Sequence, residues 1–179
     1  MKIFAVYANP ILIEKPKWFD DFYRSYGGGY DLHITLKQSC FVDEKDEEDI
    51  QGKLANFFAS LKIPNHIINI VFDVIVIPKE GCIMVNARAN STLNQLQKNI
   101  VHALKDYSHY TTPELEAYEK NFIGHMTIAR DVSLVAESFA VLRSDCFFKT
   151  EVRNITCIFV NEQTLEESQN QNNKRIYKL

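Results

Sequence analysis

At 179 residues, with 46% hydrophobic and 24% charged side chains, the chain is long enough for one substantial core and has the makeup of a globular protein. A formal charge of -3 argues against a protein that coats long nucleic acid by bulk attraction, while leaving room for a local basic groove that holds a nucleotide or short oligonucleotide. Four cysteines with no Cys-x-x-Cys pair make a disulfide framework or zinc site unexpected, and no stretch has the length of a transmembrane helix, so the expectation is a soluble, cytoplasmic protein with no metal and no membrane association.

Residues 2–8 read as a first strand, broken by Asn9-Pro10. Residues 15–26 follow as an amphipathic helix with Trp18, Phe22 and Tyr26 at four-residue spacing, and Gly27, Gly28 and Gly29 end it. A strand over 32–37 comes next. Asp43 then fits an N-cap for an acidic-started helix over 44–61, whose apolar stripe is Leu54, Phe57, Phe58 and Leu61. The β-branched run 67–77 reads as one strand or two, with a bend near Phe72-Asp73. Residues 78–81 form a turn and 82–87 return as a partner strand. Asn90 or Ser91 caps a helix running to about Tyr107. A loop containing Pro113 leads to a strand over 122–129, and residues 133–142 read as a short helix. The strand 151–160, a polar loop over 162–173 and a closing strand over 175–178 complete the chain. Mixed helices and strands joined by short turns indicate an α+β protein with antiparallel sheets and helices outside.

Two segments read alike: Leu32-His33-Ile34-Thr35-Leu36 and Gly124-His125-Met126-Thr127-Ile128. Side chains alternate across a strand, so His33 shares a face with Thr35 while Ile34 and Leu36 anchor the other face. The same holds for His125 and Thr127 over Met126 and Ile128. Two imidazoles, each beside a hydroxyl on a rigid strand, supply a base, an acid and a phosphate cradle. A third triplet, His109-Tyr110-Thr111, lacks the following apolar residue and falls in a loop, so it is set aside; His66 and His102 have no evident partners. Strict alternation puts Asp31 and Lys37 on the His33 face, Lys37 to attract phosphate and Asp31 to orient the imidazole. It puts Arg130 on the face opposite His125, as a structural residue unless the strand ends or bulges there. Tyr7 and Tyr30 suit base stacking, whereas Phe4 suits the core. The three glycines lack the Lys-Ser/Thr of a phosphate-binding loop and read as a hinge or turn.

The two motifs resemble those of the 2H phosphoesterase superfamily, named for its paired His-x-Thr/Ser segments, and within it the cyclic phosphodiesterase and 2′-5′ RNA ligase branch. His33-Ile34-Thr35-Leu36 and His125-Met126-Thr127-Ile128 match residue for residue, the second continues similarly as Ala129-Arg130, and element order agrees over nearly the whole chain. The resemblance implies a single bilobal domain over 1–179, α+β, with two antiparallel sheets facing a central groove. It also implies metal-independent, cofactor-free hydrolysis of a 2′,3′-cyclic phosphate or 2′-5′ phosphodiester in a nucleotide or short RNA. His33 and His125 would be the catalytic acid and base, in an order left open. Thr35 and Thr127 would bind non-bridging oxygens, with Lys37, Tyr7 and Arg130 completing the substrate site. A monomer is expected. The alternatives are a non-catalytic binder of RNA ends or nucleotides on the same fold, and a 3′-end exonuclease of the same superfamily.

Overall fold

In the computed structural model, which describes residues 1–77, 82–130 and 145–179, the strands are β1 (Lys2–Glu14), β2 (Ile34–Val42), β3 (Ile68–Val76), β4 (Ile83–Ala87), β5 (His125–Ala129), β6 (Phe148–Val160) and β7 (Lys174–Lys178). The helices are α1 (Phe19–Tyr26), α2 (Glu47–Ser60), α3 (Ser91–Ala103), α4 (Pro113–Lys120) and the short α5 (Leu165–Gln169). All strand pairings are antiparallel, in the order β2-β1-β6-β3-β4-β5, with β7 also on β6. The two long strands β1 and β6 pair along most of their length and divide this path into two lobes. Near one end they carry β2 and β7; near the other, β6 carries β3, which continues to β4 and β5. The expected α+β architecture of antiparallel strands with helices is therefore present, its two halves joined through β1 and β6 into one seven-stranded sheet. The lobes' outermost strands, β2 and β5, approach one another across the molecule.

Alternation along β1 places the core. Phe4, Val6 and Ala8 are buried, while Ile3, Ala5 and Tyr7 lie half-buried on the opposite face. Helix α2 buries Ile50, Leu54 and Phe58, and α3 buries Leu93, Leu96 and Ile100. Asn90 caps α3 by accepting from the Leu93 amide at 2.9 Å. Helix α1 buries Phe19, whose ring meets Phe148 edge-on at 5.1 Å, rather than the Trp18/Phe22/Tyr26 stripe, which stays at the margin.

Several boundaries differ from those read in the sequence, each for a local reason. Strand β1 runs through Asn9-Pro10 because β2 pairing ends at Ala8 opposite Ile34, so no neighbour on that side needs the amide hydrogen proline lacks. The loop expected at Pro113 is helix α4: Thr112 is extended, Pro113 opens the first turn, and Glu114 and Glu116 favour the helix dipole. The start of the 44–61 helix is a short 3-10 turn, and Asp43 makes no capping hydrogen bond. The polar 162–173 loop contains α5, capped by Thr164. The run 67–77 holds the single strand β3, Ile68–Val76, whose irregularity falls between Phe72 and Val74. The turn at 78–81 and the helix at 133–142 lie outside the described residues.

Candidate active site

Each motif histidine stands at the start of its strand and is held the same way. His33 Nδ1 lies 2.8 Å from the Asp31 carbonyl oxygen, and His125 Nδ1 lies 3.0 Å from that of Ile123, each two residues back. A carbonyl oxygen only accepts, so Nδ1 carries a proton in both rings and Nε2 is the atom left for chemistry. The charge on His125 is near enough to bear on His33. Burial pushes the His33 imidazole below the ordinary histidine range, and the Arg130 and His125 charges add to that effect. The Asp31 carbonyl and carboxylate oppose it. On balance these effects favour the neutral form of His33. The Asp31 carboxylate does not orient the imidazole as expected; it lies 3.5 Å from Lys174 Nζ, and the Asp31 backbone performs the orienting.

Beside His33, the Tyr7 ring packs at 5.3 Å between centroids, and Thr35 pairs with Tyr7 across β1 and β2. Burial, with Asp31 and Cys157, pushes the Tyr7 hydroxyl up to about 12, so it stays a neutral phenol. Tyr7, His33, Thr35 and Arg130 line one cavity of about 310 Å³. His125 and Thr127 do not line it and stand at the neighbouring strand, β5. Thr127 is half-buried and pairs with Met84.

The two cations exchange the places that strict alternation assigns them. Along β2, the partner of Val6 is Lys37 and that of Tyr7 is Thr35, so Leu36 and Lys37 together face Val6 in a β-bulge. Both are buried. Lys37 is consequently in the core, 0% exposed, with Nζ 2.9 Å from Glu119 Oε1 of α4, and it is not a groove cation. A second bulge follows: Phe4 pairs with Cys40 and Val6 with Lys37, which leaves Gln38 and Ser39 opposite Ala5. Both line the cavity. Strand β5 slips in the same sense, because Ile83 pairs with Ala129 and Met84 with Thr127, so Ile128 and Ala129 are both buried. That slip returns Arg130 to the His125 and Thr127 face. Each motif thus has a side chain lining the cavity five residues after its histidine, Gln38 in one lobe and Arg130 in the other.

Arg130 is held by the glycine turn. Its amide donates to the Tyr26 carbonyl at 2.8 Å, and its guanidinium lies 4.5 Å from the Tyr30 ring centroid. Gly28 has φ +70°, and a Cβ there would stand 3.4 Å from Arg130 Cδ. The Tyr23 hydroxyl donates to the Tyr30 carbonyl and Gln169 Nε2 to the Gly29 carbonyl, so this segment is a fastened turn. The third triplet runs along the outer edge of β2, where Tyr110 bridges to Cys40 and its hydroxyl donates to Glu119 Oε1 at 2.6 Å; His109 is exposed and outside the cavity. Gln38, Ser39 and Glu119 were not evident from the sequence. The apolar pair Ile128-Ala129 was the one local sign of a bulge.

Two strand-borne His-x-Thr segments, His33 and Thr35 lining the cavity and His125 and Thr127 at the neighbouring strand β5, are the arrangement of a two-histidine phosphoesterase scaffold. The sequence profile of the 2′-5′ RNA ligase superfamily matches residues 13–158, and the chain belongs to that superfamily, whose members are 2H phosphoesterases. Among solved structures, LigT of E. coli complexed with 3′-AMP is similar over 99% of this chain and 95% of its own, with a TM-score of 0.58 at 12% identity. Usb1 of Kluyveromyces marxianus is similar over 99% of this chain and 98% of its own, with a TM-score of 0.54 at 9% identity. A second Usb1 structure, with uridine monophosphate, matches with the same TM-score at 8% identity. No curated protein sequence matches the chain.

Proposed function

We propose that the protein is a metal-independent phosphodiesterase that opens 2′,3′-cyclic phosphates or cleaves 2′-5′ phosphodiesters in nucleotides or short RNA. The carrying observation is the matched pair of imidazoles, each with Nδ1 committed to a backbone carbonyl and Nε2 without a hydrogen-bond partner among the described residues. His33, whose neutral form burial favours, accepts a proton at Nε2 from water. The water oxygen bonds to phosphorus, the bond from phosphorus to the departing ribose oxygen breaks, and His125 Nε2 donates the proton that oxygen takes up. The cyclic ester then leaves as a nucleoside monophosphate. In the reverse direction the two roles exchange.

Thr35 and Thr127 donate hydrogen bonds to the non-bridging oxygens as negative charge shifts onto them, without the repulsion a carboxylate would bring. Arg130 supplies the positive charge, fixed over Tyr30 before substrate arrives. The nucleotides bound by LigT and Usb1, 3′-AMP and uridine monophosphate, are of the size and chemistry this reading requires. The test is a panel of nucleoside 2′,3′-cyclic phosphates, 2′-5′ dinucleotides and plain 3′-5′ oligonucleotides, incubated in EDTA and read by mass spectrometry. Conversion of cyclic or 2′-5′ members is expected. Stepwise shortening of the 3′-5′ oligonucleotides alone would instead identify an exonuclease, and binding without conversion a nucleotide carrier.

A further inference from the structure

We infer that Gln38 is the base-reading residue of this site: its side-chain amide recognises the hydrogen-bonding edge of one nucleobase held in the cavity beside His33. This rests on the reading of the site as one for nucleoside phosphates.

The placement follows from the bulges in β2. Gln38 and Ser39 face Ala5, on the same side of the sheet as Thr35 facing Tyr7. Ala5 and Tyr7 are two residues apart on β1, so Gln38 stands roughly 7 Å along the strand from Thr35. A phosphate at Thr35 and a base at Gln38 are then separated by about the length of a ribose. The floor at Gln38 and beyond it is apolar, with Ala5 beside Ile158 and Ile3 beside Val160 across β1 and β6, which suits a flat heterocycle.

The amide is both free and fixed. Its side chain has no hydrogen-bond partner among the described residues, while its backbone is fastened at both ends: the Gln38 amide nitrogen donates to Glu119 Oε2 at 2.8 Å and its carbonyl accepts from Cys40 Sγ at 3.4 Å. Glu119 is itself fixed by Lys37 and Tyr110. The buried ion pair thus holds the bulge that aims Gln38 at the cavity. A primary amide presents one donor and one acceptor side by side, the complement of a base edge that carries both. Charge supports a neutral ligand here. Away from Arg130 and His33, the charged side chains lining the cavity are Asp31 and Glu162, which repel a second phosphate.

The experiment compares the Kd of the four nucleoside 3′-monophosphates with that of ribose 3-phosphate, which carries the phosphate without the base. Calorimetry on the full chain serves for the unsubstituted protein, Gln38→Ala and Gln38→Met, the second keeping length while removing both hydrogen-bonding groups. At least one nucleotide is expected to bind more tightly than ribose 3-phosphate, and both variants are expected to shrink that preference about tenfold, the worth of a hydrogen-bonded pair. Arg130→Ala is expected to weaken nucleotide and ribose phosphate alike. A preference that survives in both Gln38 variants, or no preference in the unsubstituted protein, overturns the assignment. Turnover of the matching cyclic phosphates is measured on the same samples: a base preference that depends on Gln38 without turnover would sink the catalytic reading and leave the base pocket standing.

Discussion

Lys37 Nζ lies 2.9 Å from Glu119 Oε1, with side-chain exposures of 0% and 2%, directly behind the strand that carries His33 and Thr35. A charge so placed is tolerated only because its partner is there, and Glu119 meets further donors from Gln38 and Tyr110. Replacing one member leaves the other charged and unpaired in the core. Lys37→Met is expected to cost about 3 kcal/mol or more of folding stability, as found when buried pairs are broken. Denaturant unfolding measures it, and a loss within about 0.5 kcal/mol, the range of ordinary surface substitutions, would contradict the pairing.

The pH dependence follows from His33. Its protonated form is disfavoured by burial, Arg130 and His125, so its folded pKa lies below the ordinary 6.5. Activity that needs neutral His33 is present above that pKa and falls as pH drops through it, which places the acid limb of kcat/KM below pH 6.5. Arg130→Gln removes one of the charges responsible and moves the limb to higher pH. An NMR titration of the His33 ring reads the same shift directly; an imidazole titrating above 6.5 in the unsubstituted protein would refute the assignment of His33 as base.

In the proposed reaction the threonines bind charge that grows in the transition state, so their loss is expected mainly in kcat. Thr35→Ala and Thr127→Ala are each expected to lower kcat about a hundredfold, in the range of a lost oxyanion donor, with Thr→Ser restoring most of it. A change confined to KM would make them ground-state binders instead.

Gly28 is constrained by its φ of +70°, and a Cβ there would stand in ordinary contact with Arg130 Cδ at 3.4 Å. Gly28→Ala is expected to cost about 1 kcal/mol of stability for the left-handed backbone. It is also expected to weaken phosphate binding as strain in the turn displaces Tyr30 beneath Arg130. Normal phosphate affinity in a destabilised variant would separate the turn from the site.

How far the site could be read from the sequence depended on distance along each strand. From histidine to threonine, alternation holds on both β2 and β5, and it correctly puts Ile34, Leu36, Met126 and Ile128 in the core. Beyond the threonine each strand gains a residue, and the period-two rule then assigns Lys37 and Arg130 to the wrong faces. Ile128-Ala129 carries a trace of the slip in two adjacent apolar residues. Nothing near Lys37 does, because what stabilises it inside is Glu119, distant in sequence and on a helix that the loop reading at Pro113 missed. The Thr112-Pro113-Glu114 start signal for that helix was present. The fold class was legible from element order, whereas the joining of both halves into one sheet through β1 and β6 depends on pairings that a single sequence does not display.

In the proposed reaction two imidazoles, one from each lobe, carry out a single proton relay at one phosphate. The most direct measurement is kcat on a nucleoside 2′,3′-cyclic phosphate, in EDTA, for His33→Ala, His125→Ala and the double variant. Each single loss is expected to lower kcat at least about a thousandfold, and the double variant to be little worse than either, because groups that act as one unit are not additive. Near-full turnover in either single variant would contradict the two-histidine relay.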